Sequence, residues 1–471
     1  MKNRFYLTTT LPYVNAEPHI GFGLEITEAD VISRYQRMIG REVIFNTGTD
    51  EHGQKIYQKA VEADQDPLKY CDHYVQKFQD LKDLLNLSYT HFIRTSSAKH
   101  RQAAQKFWQI AKDNGDIYLT NYQTKYCVGC ELEKNESELI DGKCPLHPDL
   151  ELELRNEENY FFRFSKYEKP LLELYQNNPD LVYPQAKMNE AIAFVKQGLQ
   201  DFSISRLKSK MPWGIEVPED PDHVMYVWFD ALVNYISTLD WPNDQETFSN
   251  FWPGIQIAGK DNLRQQAVMW QAMLMSVGLP NSKKILINGF ISIDGQKMSK
   301  SLGNVISPQE MVERYQTDAS RMLLVSLGTF ADDMDVSWEK LDKKYKADLA
   351  NGLGNLCSRV AKMAQTEQLV YQSKLCPLNK TYQELMNAFQ LTEALDWIMD
   401  QSRQLDLFLS HKKPWEKTGQ EKKDLLLDAI EKIQTIAFHL QPFMPDTSQF
   451  IQNHFHNEIK ALTPLFPQLP D

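Results

Sequence analysis

Four side chains with metal-binding donors fall close together: Cys127, Cys130, Cys144 and His147, spaced C-x2-C-x13-C-x2-H. Two knuckles separated by a short loop can wrap one tetrahedral Zn2+, and four protein ligands close its coordination sphere, which predicts a structural metal. The other cysteines, Cys71, Cys357 and Cys376, are isolated and read as plain core or surface residues. Further along, Lys297-Met298-Ser299-Lys300-Ser301 follows the apolar run ILINGFISI and the turn Asp294-Gly295. Two lysines on such a loop can close over a polyphosphate as charge builds on the leaving group. Near the N-terminus, Pro18-His19-Ile20-Gly21-Phe22 stands where a strand, loop and helix would offer backbone N–H groups and a positive helix end to phosphates. Alone, that histidine reads first as a helix cap, and the lysine loop as a solvated one.

These groups need elements to position them. FYLTTT (5–10) predicts a strand, LPYVNAEPH a loop, and the spacing of Ile20, Leu24, Thr27, Val31, Tyr35 and Met38 a helix over about 18–39 with one apolar face. Pro18 suits its first turn and Gly40 its C-terminal cap. EVIFNTG (42–48) predicts a second strand, and helical patterns fill about 54–64, 68–87 and 97–114, so the natural reading is an α/β domain with a parallel sheet. From 116 to 221 short apolar runs, the Cys/His cluster and many acidic residues predict an insertion. Strand and helix patterns return at HVMYVWFDALVNYI, GIQIAGKDN, QAVMWQAMLMSVGL and KILINGFISI. From about 346 only helical patterns remain, which predicts a bundle.

Length and composition agree with several domains. At 471 residues, 42% of them apolar, about three domains are expected. No stretch approaches the roughly 20 apolar residues of a membrane span, and MKNRFYLTTT lacks a signal-peptide core, so a soluble cytoplasmic protein is expected. Six cysteines, three of them clustered beside a histidine, point to metal in a reducing compartment rather than to disulfides. A net charge of −12 leaves an RNA partner open, because binding needs only a basic face.

The two phosphate motifs, one near the N-terminus and one roughly 280 residues later, resemble the paired signatures of class I aminoacyl-tRNA synthetases. Within that class TTTLPYVNAEPHIG, FNTGTDEHGQKI, VMYVWFDALVNY, GKDNLRQQ and DGQKMSKSLGN are most similar to the methionyl-tRNA synthetases, in order through the chain. The resemblance implies a Rossmann-type catalytic domain in two halves (1–115 and 222–288), split by a zinc-bearing connective insertion (116–221). A KMSKS and stem-contact segment (289–345) and an all-α anticodon-binding domain (346–471) would follow. It implies activation of L-methionine by ATP and Mg2+, then transfer to the terminal adenosine of tRNA(Met), with Zn2+ in the insertion. Carried over residue by residue, Asp50 would hold the methionine ammonium, and Leu11, Tyr13, Trp228, Ala231, Tyr235 and Gln266 would surround its side chain. Arg206 would pair with Asp50 and reach toward ATP; Gly259 and Asp261 would meet the ribose, Ile291 the adenine, and His19, Gly21, Lys297 and Lys300 the phosphates. Asn355, Arg359 and Trp415 would contact the anticodon, where an arginine and an aromatic face suit unstacked bases.

The chain departs from the family at three places. Phe22 stands where the class signature usually has a second histidine, Gln265-Gln266 where many members have Phe-His, and Asn262 where an apolar residue is usual. Gln266 would then orient Tyr13 or Tyr235 through a hydrogen bond. With no further tRNA-binding module before Asp471, a monomer is expected. The alternatives are another class I synthetase, those for leucine, isoleucine and valine disfavoured by an insertion of about 106 residues, too small for an editing domain, and that for cysteine by four ligands that saturate the metal, or an inactive tRNA-binding paralogue.

Overall fold

Buried on almost every residue, Arg4–Thr8 has the β-branched and aromatic content of a central strand, and it lies in the middle of a six-stranded sheet. The computed structural model describes residues 3–130, 132–134, 139–297, 305–328, 330 and 333–469. Two compact units emerge: Met1–Glu17 with Glu42–Asp80 and Tyr89–Ile287, and Pro18–Arg41 with Leu81–Ser88 and Asn288–Asp471. Among the described residues no helix is long and apolar enough to cross a membrane.

In chain order the first unit carries β1 (Arg4–Thr8), β2 (Glu42–Thr49), β3 (His91–Arg94), β4 (Ile117–Cys127), β5 (Leu132–Lys134), β6 (Glu153–Phe162), β7 (Val182–Tyr183), β8 (Phe202–Ser203), β9 (Ser205–Leu207), β10 (Glu216–Val217), β11 (Asp220–Met225), β12 (Ile255–Gly259) and β13 (Lys284–Asn288). The central sheet has the order β3-β2-β1-β12-β13-β7, and β1 pairs in parallel with both β2 and β12, as β13 does with β7. β7 comes from within the segment 116–221, a two-residue run too short to show in the sequence pattern. Helix Ala98–Asp113 buries Phe107 and Trp108 against the same core, Phe107 stacked on Trp270 at 5.8 Å and Trp108 edge-on to Phe229 at 5.3 Å. A second sheet, β5-β4-β6-β8, is antiparallel, with β4 and β6 in register from Ile117↔Phe162 to Tyr126↔Glu153.

In the second unit helix Ile20–Met38 starts two residues later than expected. His19 is its N-cap, so Pro18 precedes the helix instead of opening it, and Gly40, at φ +82, ends it. The expected single apolar face is also too simple: Glu25, Glu28, Asp30, Ser33 and Gln36 are buried as well. Burial of the Glu28 and Asp30 carboxyl groups is tolerable because both find partners. Asp30 pairs with the fully buried Arg321 at 2.8 Å and with Arg34 at 2.6 Å, and accepts from the N–H and Oγ of Ser88, each at 2.6 Å. Burial alone would raise the Asp30 carboxyl; the guanidinium charges of Arg321 and Arg34 hold it below its ordinary value. Arg321 also donates to the carbonyls of Leu85, Pro442 and Phe443, each at 2.9 Å, so one side chain satisfies three chain segments. The expectation of helices alone after 346 needs one amendment. Val370–Tyr371 and Asn457–Glu458 form a two-stranded antiparallel ladder at the surface, where no periodic burial marks it.

Glu28, in the same helix, is pushed up from 4.5 to about 8 by desolvation, although Asn288 Nδ2 donates to its Oε2 at 2.6 Å. A carboxyl raised on folding is protonated in both states at low pH and destabilises the fold as pH climbs through the unfolded value toward the folded one. Glu28→Gln should therefore match wild-type stability near pH 4.5 and exceed it at pH 8, by melting temperature. An equal gap at both pH values would refute neutral burial of Glu28.

Candidate active site and metal centre

The loop after β2 is fixed on both sides of Asp50. The Asp50 N–H donates to the Pro12 carbonyl at 3.0 Å and its carbonyl accepts from Val14 N at 3.4 Å, which bridges Tyr13 to Asp50. Glu51, fully buried, accepts from Arg94 Nε at 2.7 Å and Nη2 at 2.9 Å, with the Thr49 and Ser96 hydroxyls also donating to it at 2.7 and 2.5 Å. His52 Nδ1 lies 2.6 Å from Asp230 Oδ2, and His100 Nε2 lies 2.7 Å from Asp230 Oδ1. Burial would push the Asp230 carboxyl up, yet the His52 charge and the hydrogen bonds of both imidazoles hold it below its ordinary value. As an ionised carboxylate only accepts, the facing nitrogens are His52 Nδ1–H and His100 Nε2–H. Asp50, in the midst of this, is buried, with Thr95 Oγ1 and His52 N each at 3.5 Å from Oδ1.

Helix Val227–Ala231 follows Tyr226 and supplies Trp228, whose ring meets Tyr13 edge-on at 6.4 Å. Ala231 and Tyr235 are buried; Leu11 and Tyr13 are half-buried. Gln266 lies in a π-helical turn, Gln265–Met269, and its Nε2 donates to the Tyr235 hydroxyl at 2.6 Å while its Oε1 accepts from Gln256 Nε2 at 2.8 Å. Of the two tyrosines expected as its partner, Tyr235 is the one bonded. Gly259 ends β12, and Asp261 lies exposed in the turn that follows, its Oδ1 2.9 Å from where a Cβ on Gly259 would stand. Arg206, on β9, is 5% exposed and donates to Ser203 Oγ and the Ser205 carbonyl. Its guanidinium covers the rings of Tyr226 at 4.6 Å and Tyr126 at 5.2 Å. With Gly53, Gln54 and Lys210 these three line a cleft of about 440 Å3. The first unit thus brings together Tyr13, Asp50 and Trp228 from two loops and one helix, with Leu11 and Ala231 near them in sequence.

The second unit holds the phosphate motifs. His19 Nδ1 accepts from Gly21 N at 3.0 Å, so the neutral ring carries its hydrogen on Nε2. Ile20 N donates to the Ile306 carbonyl at 3.0 Å, and a Cβ on Gly23 would stand 3.1 Å from Pro308, which ties the start of this helix to residues that follow the lysine motif. That motif is entered through a hairpin, Ile291–Ile293 against Gln296–Lys297, turning at Asp294-Gly295 with φ +51 and +74. Asp335 grips the hairpin by accepting from Gly295 N at 2.6 Å and Ser292 Oγ at 3.0 Å; Lys340 and these donors hold its carboxyl down at about 2. Ile291 is buried beside Met334. Lys297 is described only as a strand residue, and Lys300 lies outside the described residues. In the helical region Arg359 pairs with Asp406 at 2.7 Å and covers the half-exposed Trp415 ring at 5.6 Å; Asn355, exposed, opens the helix Asn355–Thr366.

Cys127, Cys130, Cys144 and His147 converge, their donor atoms all within 4.8 Å of one another. Cys130 Sγ lies 3.4 Å from Cys144 Sγ and 3.2 Å from His147 Nδ1, and Cys127 Sγ 3.8 Å from that nitrogen. These are close to the edges of about 3.5–3.8 Å that tetrahedral Zn–S and Zn–N bonds imply. The knuckle needs a glycine between its cysteines, since a Cβ on Gly129 would come within 2.5 Å of the His147 ring. Its carbonyl accepts from Lys55 Nζ at 2.7 Å, linking the knuckle to the helix Gln54–Glu62.

Sequence reasoning missed Glu51, His52, Asp230, His100, Gln256 and Asp335. His52 and Asp230 stood inside the quoted motifs TGTDEHG and VWFDALVNY, beside assigned residues. His100 and Gln256 gave no signal, because an isolated polar residue in an apolar pattern does not name its partner.

Comparison with known proteins places this geometry. The family described as tRNA synthetases class I (M) matches residues 5–150 and 136–361. The methionine-tRNA ligase of Thermotoga maritima is 40% identical, over 95% of this chain and 74% of that protein. That of Thermosynechococcus vestitus is also 40% identical, over 100% of this chain and 93% of that protein. Among solved structures, Mycobacterium tuberculosis methionyl-tRNA synthetase in complex with methionyl-adenylate superposes with a TM-score of 0.92 at 33% identity, covering 99% of this chain and 100% of that one.

Removing the carboxylate between two buried imidazoles leaves two donors unsatisfied. Asp230→Ala should lower stability by about 3–5 kcal/mol, seen as a lower urea midpoint, and an unchanged midpoint would show that His52 and His100 do not depend on it.

Proposed function

We propose residue roles from the premise that this chain belongs to the class I tRNA synthetase (M) family and is a methionine-tRNA ligase, activating methionine with ATP and charging tRNA with it. The observation that supports the site is the bridge between Tyr13 and Asp50 with Trp228 packed on Tyr13, which sets a buried carboxylate beside aromatic walls. Asp50 receives the methionine ammonium. Leu11, Tyr13, Trp228, Ala231 and Tyr235 enclose the thioether, whose polarisable sulfur gains from ring contact and has little hydrogen bonding to offer. Gln266 steadies Tyr235. Gly259 and Asp261 take the ribose and Ile291 the adenine; Arg206 reaches toward the nucleotide.

In the first step a methionine carboxylate oxygen attacks the α-phosphorus; the P–O bond to pyrophosphate breaks and methionyl-adenylate forms. No base is required, since the carboxylate is already ionised. His19, with its Nε2–H, the helix start at Gly21, and Lys297 and Lys300 lower the barrier by neutralising charge as pyrophosphate leaves. Mg2+ accompanies ATP as its counter-ion, with no residue here assigned to it. In the second step the terminal 2′-hydroxyl of tRNA(Met) attacks the methionyl carbonyl; the ester C–O bond forms, AMP leaves, and the hydroxyl proton passes to solvent or phosphate. Asn355, Arg359 and Trp415 receive the anticodon. The segments 1–115 and 222–288 serve as the catalytic halves, 116–221 as the connective insertion, 289–345 as stem contact and 346–471 as anticodon domain. We place the reaction in the cytoplasm and the working form as a monomer.

The thiol and imidazole set at 127–147 would hold Zn2+ with no open position, supplying rigidity to the insertion. Protein purified without added metal should contain one zinc per chain, and Cys144→Ser should lose it; zinc-free wild type would remove this assignment.

The amino-acid specificity is tested by pyrophosphate exchange across the twenty amino acids, which should be driven by methionine. Within it, Trp228→Ala should lower kcat/KM for methionine more than Gln266→Ala, because ring contact adds roughly 0.3–1.5 kcal/mol beyond lost area. The reverse order would mean that polar recognition dominates, and exchange driven by another amino acid would displace the function itself.

A further inference from the structure

Glu28 and Asn288 meet inside the second unit, 2% and 5% exposed, with Asn288 Nδ2 donating to Glu28 Oε2 at 2.6 Å. For stability alone this is a poor place to put two polar side chains. Desolvation pushes the Glu28 carboxyl up to about 8, and Asn288 Oδ1 is buried with no hydrogen-bond partner among the described residues. An apolar pair of the same shape would avoid both penalties and be at least as stable. What it could not supply is direction, because a hydrogen bond holds two groups to a narrow range of distance and angle while aliphatic contacts let them slide.

The two residues belong to the segments that carry the opposite ends of the nucleotide site. Glu28 lies on helix Ile20–Met38, about 13 Å along its axis from the N-cap His19 at a rise of 1.5 Å per residue. Asn288 ends β13 and leads through Gly289 and Phe290 to Ile291. That stretch is held on its other side by Phe290, whose N–H donates to Asp333 Oδ1 at 2.8 Å and whose carbonyl accepts from Met334 N at 2.8 Å. Beyond the lysine motif the Ile306 carbonyl accepts from Ile20 N. The chain is thus fastened to one helix just before Ile291 and again after the lysines, and both fastenings are hydrogen bonds.

We propose that Glu28 and Asn288 are positioning residues for ATP: their hydrogen bond sets the strand that carries Ile291 at a fixed spacing from the helix end that carries His19, so that adenine and triphosphate are met together. This rests on the reading of Ile291 as the adenine wall and of His19 as a phosphate contact. When a ligand is held at two ends, the second contact forms at an effective concentration that depends on how well the spacing matches. A joint that lets the strand slide leaves the contacts at each end intact and lowers only the advantage of making both at once.

The test measures equilibrium binding of MgATP, of adenosine and of magnesium pyrophosphate to wild type, Glu28→Gln and the double variant Glu28→Met/Asn288→Leu, together with the melting temperature of each. Glu28→Gln keeps an acceptor for Asn288 Nδ2 and should bind all three ligands as wild type does. The double variant replaces both polar groups by apolar ones of similar size, so at pH 8 it should melt no lower than wild type. It should nevertheless bind MgATP about three- to tenfold more weakly, with adenosine and pyrophosphate each changed by less than about twofold. If the double variant does not fold, Asn288→Ala serves: it removes the same bond and should give the same pattern of affinities at a lower melting temperature. Unchanged MgATP binding in either folded variant overturns the inference, and so does a loss for adenosine or pyrophosphate alone as large as that for MgATP. An Ile291→Ala protein that binds adenosine as tightly as wild type would instead sink the reading of the adenine wall on which it rests.

Discussion

One buried negative charge, on Asp230, holds the first unit's site in register. Its two oxygens are taken by imidazoles from different segments, His52 after β2 and His100 on the helix Ala98–Asp113. Asp230 itself sits between Trp228 and Ala231. The carboxylate thus fixes, within hydrogen-bond tolerance, how the loop that carries Asp50 meets the helix that carries Trp228. An apolar substitute would fill the volume and leave the loop free to slide, since packing of aliphatic groups is tolerant where hydrogen-bond geometry is not. Glu51 works alongside it, anchored by Arg94, Thr49 and Ser96. Asp50 immediately precedes these two anchored residues, Glu51 and His52.

The second unit uses the same device with another chemistry. Asp30 and Arg321 are both fully buried, and the remaining guanidinium donors are satisfied by backbone carbonyls. A pair of this kind contributes little net stability over a well-packed apolar pair, yet losing either partner strands a charge. It serves best as a constraint: three chain segments share one orientation relative to helix Ile20–Met38, whose N-terminus bears His19.

Much of this was legible. The strand, loop and helix over 5–39, the parallel sheet and the helical region after 346 followed from periodicity, because each buries an apolar face at a regular interval. The metal ligands were legible because spacing alone brings knuckles together, and the geometry agrees. What stayed hidden has a common cause. Glu28 and Asp30 interrupted an apolar pattern, and their burial depends on Asn288 and Arg321 hundreds of residues away. β7 was two residues long. The π-helical turn at Gln265–Met269 depends on side-chain packing that no local rule encodes. Gln266 could be singled out as a departure, and its bond to Tyr235 expected in kind, but the amides behind it could not be foreseen, because a glutamine in a strand such as β12 announces neither its direction nor its partner.

The neutrality of that amide run separates two kinds of recognition by their response to ions. At physiological ionic strength charges are screened beyond about 8 Å, and contacts to phosphate or RNA weaken as salt rises. A buried sequence of dipoles has no net charge to screen and no counter-ion to release. Salt would then weaken contacts to nucleotide and tRNA while leaving the hydrogen bonds among Gln256, Gln266 and Tyr235 untouched, so the wall that Tyr235 forms is insulated from ionic fluctuations.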